Sequence, residues 1–419
     1  WNPSGVSFSG RFAREDGSAG HTPRATGGDD YARILDPRLT ENVWYETVKL
    51  NYGFHFVEQR GYYDPVPRTW TMVDAILAFW QRKGVDGFRC DFAHYVPKEA
   101  WTYLLSRARG RNPACFFMAE AYPYAGSLDP VHDERELIAA GFDAVYYWKA
   151  YNALKGIYQG HGFDAYEGEL SSVSDELRPH LLQYLENHDE RRIASPVVNG
   201  AGPGDSGFGS SAASYQLAPL HLLYGSGPVL VFNGQEVGEP GAGATGFKGD
   251  NGRTTIFDYW RMPVFARWVN GHAYDGGQLE PRELGLRRFY ADLLALCQHP
   301  AVAGSSYWGL RYCNREGTDA GASGWLYPYA RFAPGTRQLL VVVANFRPRA
   351  ADSGQVHVPR ELTRACGIVH GTHVNVRLIL NERGKQAGES MRLSVEELAE
   401  RGFRASVSEQ ACNVYELLA

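Results

Sequence analysis

No stretch of this chain approaches the ~20 consecutive apolar residues that a membrane-spanning helix needs. Neither sign of charge dominates. Lys and Arg number 42 against 47 Asp and Glu, and the net charge of −5 is spread along the chain. That balance gives no electrostatic case for nucleic acid or an anionic membrane as partner. There is no CxxC pair and no Cys/His spacing suited to zinc. The six cysteines (Cys90, Cys115, Cys297, Cys313, Cys366 and Cys412) are widely spread. Cys90 and Cys115 lie in apolar, strand-like segments, where a free thiol behaves as a small hydrophobe. This leans towards a reducing, cytoplasmic compartment. No GxGxxG or GxxxxGK(S/T) follows a strand, which counts against nucleotide binding. Internal repeats and low-complexity tracts are absent. The first residue is Trp1, with no Met, signal or transit sequence before it, so an upstream segment is expected and targeting stays undetermined.

What remains is ample material for a core. The chain has 419 residues, 44% of them hydrophobic and 21% charged, which fits two or three soluble domains. Aromatics reach 13%, with 25 Tyr and 10 Trp. They suit a large core with aromatic-rich loops, or a site where sugars stack on flat rings; composition leaves both open.

Residues 1–69 are rich in Gly, Pro, Asp, Arg and Tyr and read as long surface loops, with one short strand at 47–51. From Trp70 the pattern changes. Met72, Val73, Ile76, Leu77 and Trp80 recur at helical spacing, and Gly84 ends the run. A buried-strand sequence follows at 84–91. Pro97 starts a helix whose inner face carries Trp101, Leu104, Leu105 and Ala108. Further apolar strands begin near 115, 142, 181 and 228, with helical patterns between most of them, around 136–140 and 212–224 among others. Continuous apolar strands alternating with helices predict a parallel sheet covered by helices. The spacing fits a (β/α)8 TIM barrel over 70–303, with a doubly wound open sheet as the alternative. A last helix is expected at 286–297. Beyond 304 the texture becomes β-rich, at 325–330, 338–346, 374–380, 391–395 and 413–418, which predicts a separate antiparallel β-sandwich over 304–419.

The acids fall at strand ends. Asp91 ends one strand, Glu120 the next and Asp189 a third. Parallel barrel strands all point one way, so these side chains are expected on one rim, where barrel enzymes keep their chemistry. Any one of them alone could be a helix N-cap. Retaining glycoside cleavage needs one carboxylate to attack the anomeric carbon and one carboxylic acid to protonate the leaving oxygen. A dry setting or a negative neighbour keeps such an acid protonated. Glu120 follows Phe116, Phe117, Met118 and Ala119 and is expected beside Asp91. Arg89, two residues before Asp91, shares its strand face and would hold it ionised.

GFRCDFAHYVP (87–97), FFMAEAYP (116–123) and LENHDE (185–190) resemble the second, third and fourth signature regions of the α-amylase family, glycoside hydrolase family 13. GPVLVFNGQEVGE (227–239) resembles its eighth-strand region, and RTTIFDYW (253–260) the segment that follows it in bacterial members. The resemblance spans about 45–300 and implies a role for each matched residue. Asp91 would be the nucleophile and Glu120 the general acid/base. Asp189 would hold sugar hydroxyls and stabilise the transition state. Arg89 would orient Asp91, and His188 would bond the sugar. Tyr122 belongs to the matched third region and is expected to face the substrate.

Two departures from the family pattern stand out. The first signature region is absent, so barrel strands 1–3 are expected outside this chain, leaving strands 4–8 here and a fragment of low activity. The Lys-His pair found after the nucleophile in many amylases is replaced by His94 and Tyr95, expected substrate-binding positions that are altered here. No cofactor is expected. Calcium stays open, because the family's calcium sites draw partly on the first region. The expected function is α-1,4-glucosidic hydrolysis of starch-, glycogen- or maltooligosaccharide-like glucans. The alternatives are an α-glucan transglycosylase of the same family and a truncated carbohydrate-binding relative.

Overall fold

A computed structural model describes residues 50–53, 60–122, 133–200, 206–241, 262–304, 306–314, 324–388 and 390–419. It also gives the backbone of short strands at 12–13, 19–20, 26–29, 43–49, 54–55, 245–246 and 249–250. The matched segment 253–260, Pro123 and most of the 1–69 segment lie outside the described residues. The chain divides into two compact units, Trp1–Tyr146 and Tyr147–Ala419.

The first unit is built on three parallel strands: β1 (Gly87–Cys90), β2 (Phe116–Ala119) and β3 (Ala144–Tyr146). Helices connect them, α2 (Lys98–Arg111) between β1 and β2 and α3 (Glu134–Ala140) between β2 and β3, while α1 (Arg68–Arg82) precedes β1. The register sets Gly87 opposite Phe116 and Cys90 opposite Ala119. Gly87 is needed there, since a Cβ would come within 2.6 Å of the Phe116 carbonyl. Pro97 caps α2 from outside, where its fixed φ costs nothing. The predicted inner face of α2 is the buried one: Trp101, Leu104, Leu105 and Ala108 pack with Phe117, Leu137, Phe142 and Val145. A capping box from Asp133 and Glu136 starts α3, and Gly141, at φ 116°, ends it in a conformation that favours glycine.

Helix α1 corrects the sequence reading. Met72, Ile76 and Trp80 are exposed, and the buried positions are Trp70, Asp74 and Leu77. The helix has apolar residues on two stripes, and the buried one carries a charge that apolar periodicity passes over. Asp74 is accommodated because Arg107 Nε and Arg111 Nη1 of α2 reach it at 2.5 and 2.7 Å.

The second unit continues the strand–helix pattern and adds a sandwich. Helices α4 (Trp148–Tyr158) and α5 (Asp164–Ser172) precede β4 (Leu181–Tyr184), every residue of which is buried. β5 (Val229–Leu230) runs parallel to β4, with α6 (Ser214–Leu222) between them, and α7 (Pro263–Val269) and α8 (Pro281–Cys297) follow. Then come β6 (Ser306–Gly309), β7 (Leu326–Phe332), β8 (Gln338–Asn345), β9 (Asp352–Val356), β10 (His373–Asn381), β11 (Gly384–Lys385), β12 (Ser390–Ser394), β13 (Phe403–Val407) and β14 (Cys412–Leu418). Among the described residues, one antiparallel sheet has the order β6-β7-β8-β14-β10-β11, with β12 also paired to β10, and β9 pairs with β13 separately. The β-branched run Val341–Val343 is fully buried, as a central strand requires. Leu339, Val341, Val376, Phe403 and Leu417 share one core cluster. Arg331, fully buried, ties the sandwich to the strand–helix part of this unit by donating to the Tyr224 and Val302 carbonyls at 2.5 and 2.6 Å.

Candidate active site

Strand β1 delivers Asp91 and strand β2 delivers Glu120, each one residue past its strand's end. The backbone ladder runs on beyond the strands: Glu120 N donates to Cys90 O at 2.9 Å, and Ala93 N to Glu120 O at 2.9 Å. Phe92, between Asp91 and the turn 93–95, sits in the left-handed region at φ 47°. That kink turns the Phe92 N–H onto Glu120 Oε2, 2.6 Å away. Backbone strain of this kind persists only where surrounding contacts hold it.

Arg89 joins the two acids. Its Nη1 donates to Asp91 Oδ1 at 2.6 Å, and its Nη2 lies 4.0 Å from Glu120 Oε1. Its Nε reaches the hydroxyl of Tyr146 at 3.3 Å. Burial works against the guanidinium's charge, but the hydrogen bonds to Asp91 and Tyr146 outweigh it and hold the Arg89 pKa above its ordinary value. A permanent cation therefore faces both carboxyls. The acids differ sharply in setting: the Asp91 side chain is 64% exposed and that of Glu120 only 5%. One is open to an incoming molecule, and the other is enclosed by the strand ends.

His94, Tyr95 and Tyr122 belong to the same unit. His94 is fully buried in the turn 93–95; its ring lies 4.1 Å from that of Tyr95, and its Nδ1 faces the Tyr122 amide at 3.4 Å. The Tyr122 ring lies 6.4 Å from that of Tyr146. His188 and Asp189 belong to the second unit, in the loop after β4. His188 Nε2 lies 3.0 Å from Asp189 Oδ2, and both side chains are partly exposed. Their neighbours in sequence are buried. Asn187 Oδ1 accepts from the amides of Asp189 and Glu190 at 2.8 and 3.0 Å, a side-chain turn that sets the loop's curvature. Arg192 Nη1 donates to Glu186 Oε2 at 2.8 Å, and Ile193 N to Glu186 Oε1 at 2.6 Å. Burial pushes the Glu186 carboxyl above its usual range, against the pull of Arg192.

Tyr146, the Phe92 amide and the Glu186–Arg192 pair were not singled out from the sequence. Tyr146 carried no signal beyond one more aromatic in an apolar strand, and a backbone amide leaves none. Glu186 lies inside the fourth motif and Arg192 two residues after it, and two opposite charges six residues apart were the available hint. Among the described residues no group of three or more His, Cys, Asp or Glu side chains is arranged to hold a metal ion, and no described helix is long and apolar enough to cross a membrane.

No protein-family model matches the chain. Among curated proteins it is 28% identical over 182 residues to an α-amylase, MalA, of Haloarcula japonica, a match covering 43% of this chain and 24% of that protein. It is 25% identical over 122 residues to an α-1,4-glucan:maltose-1-phosphate maltosyltransferase of Myxococcus xanthus, covering 27% of this chain and 17% of that protein. The matched stretches are thus well under half of these relatives' length. Among solved structures, an α-amylase from Lactobacillus plantarum superposes with a TM-score of 0.54 at 16% identity, covering 93% of this chain and 72% of that one. An α-amylase from Geobacillus thermoleovorans superposes with a TM-score of 0.55 at 15% identity, covering 84% of this chain and 64% of that one. Their fold is a (β/α)8 barrel with a C-terminal β-sandwich, and the parallel strands and antiparallel sheets of the present chain match parts of it.

Proposed function

We propose that the chain is a member of the α-amylase family, glycoside hydrolase family 13, and that it cleaves α-1,4-glucosidic bonds in starch-, glycogen- or maltooligosaccharide-like glucans with retention of configuration. The observation that carries this reading is the Arg89 guanidinium set between Asp91 and Glu120 at the ends of paired parallel strands.

In this mechanism Asp91, exposed and held by Arg89, attacks the anomeric carbon. Glu120, whose Oε2 accepts from the Phe92 amide, gives the transferable proton to the leaving oxygen. A glycosyl ester on Asp91 results. Water, deprotonated by Glu120, then releases the sugar with its original configuration. The resemblance gives Asp189 the part of holding sugar hydroxyls and stabilising the transition state, and gives His188, 3.0 Å from it, a bond to the sugar. His94, Tyr95 and Tyr122 shape the substrate's surroundings. A transglycosylase would share every step to the intermediate and differ only in the acceptor. The similarity to a maltosyltransferase keeps that second reading in view.

Replacing Glu120 by Gln removes the transferable proton and keeps the shape, so turnover of maltoheptaose should fall by roughly three orders of magnitude or more. Proton NMR of the wild-type reaction should show the α-anomer first. Unchanged turnover in Glu120→Gln, or initial release of the β-anomer, contradicts the assignment. Products longer than maltoheptaose would decide for transfer over hydrolysis.

A further inference from the structure

Helix α4 places Lys155 where a lysine is rarely found, 1% exposed, with its ammonium 4.4 Å from the centre of the Tyr151 ring and 5.9 Å from that of Phe208. A buried ammonium is costly unless an anion meets it. Here the anion is Glu190, whose Oε2 accepts from Lys155 Nζ at 2.8 Å and from the Tyr151 hydroxyl at 3.2 Å. Tyr151 lies one helical turn before Lys155, so the two reach the same carboxylate side by side. Its ring packs 4.7 Å from that of Tyr184, the last residue of β4.

Glu190 directly follows Asp189. Their two amides share the Asn187 carboxamide, and Glu186 and Arg192 close the loop at its base. Every charged residue of 186–190 except Asp189 is therefore buried, and Asp189 is half exposed. A buried ion pair is weak grounds for stability, because an apolar pair of similar volume often serves as well. It is better suited to fixing a register, since Glu190 has one low-energy place to sit.

We propose that Lys155 is a positioning residue: by fixing Glu190 it sets the direction in which Asp189 presents its carboxylate to the sugar ring. The inference rests on Asp189 acting as a transition-state stabiliser. Misplacing such a group by about 1 Å costs roughly a hundredfold in rate.

The test compares Lys155→Met, which strands a buried anion and can fail to fold, with the neutral double variant Lys155→Met/Glu190→Gln, which keeps size and the Tyr151 hydrogen bond. Hydrogen exchange over residues 186–192 and kinetics on maltoheptaose are measured for the wild type and the folded variants. The double variant should unfold near the wild-type denaturant midpoint. Its amides at positions 189 and 190 should exchange at least about tenfold faster, and kcat should fall by roughly a hundredfold with KM nearly unchanged. Unchanged exchange, or faster exchange with wild-type kcat, overturns the proposal. Glu120→Gln serves as control. If it retains turnover, the glycosidase reading fails, and the exchange arm still decides whether Lys155 holds the loop.

Discussion

Arg89 is the residue on which the site turns. It sees Asp91, Glu120 and the Tyr146 hydroxyl at once, through three different nitrogens. A lysine offers a single ammonium and cannot reproduce that fork. Arg89→Lys should therefore lower kcat by roughly tenfold to a hundredfold while the protein stays folded, and steady-state kinetics with a circular-dichroism melt check both halves. Wild-type kcat in that variant would show that a single ammonium serves Asp91 as well as the fork does. At this scale much was visible in the sequence. Asp91, Glu120 and Arg89 stand in short motifs, and alternation along one strand was enough to place Arg89 on the face of Asp91. The amide of Phe92 could not be foreseen, because it acts only through a left-handed backbone that no side-chain pattern announces.

Elements carry those residues through pairings the sequence shows less clearly. Strand β4 and the inner face of α2 were legible because every position on them is apolar or enclosed and buried, whereas β1, read as a buried strand, has no fully buried residue. Helix α1 was misread because its buried stripe includes Asp74, whose place depends on two arginines from α2, more than 30 residues away. Those arginines outweigh the burial that disfavours the ionised carboxyl, and they lower the Asp74 pKa. The sign of the pH effect follows. A depressed carboxylate adds stability that is fully present above the unfolded-state value near 3.9 and is lost as pH falls through the lower native value. Asp74→Asn should cost about 1–2 kcal/mol at pH 7, a figure kept small because Arg107 is half exposed. The gap between variant and wild type in urea midpoint should close as the pH drops below about 4. A gap that stays constant down to pH 2 would mean that the pairing contributes nothing to stability.

For the molecule as a whole, the change from strand–helix alternation to β-rich sequence was readable from texture alone, since the two periodicities differ so plainly, but the two compact units, Trp1–Tyr146 and Tyr147–Ala419, do not divide at that change. How the sandwich is fastened was not. Arg331 sits in a strand that looks uniformly apolar, yet it is fully buried and satisfies two carbonyls from the other part of its unit. Arg331→Met should leave both carbonyls without their donor and cost about 2–5 kcal/mol, seen as a lower urea midpoint for the second unit. A midpoint within experimental error of the wild type would mean that the guanidinium is not part of the fastening. Function belongs to this scale too, because the mechanism proposed above has the chain hold nucleophile and acid together through a covalent intermediate. The most direct measurement traps that intermediate. Glu120→Gln, incubated with an α-maltosyl fluoride whose leaving group needs no acid, should gain the mass of one maltosyl unit, and peptide mapping should place it on Asp91. A maltosyl ester on any other residue, or its absence while the fluoride is consumed, would contradict the assignment of Asp91 as nucleophile.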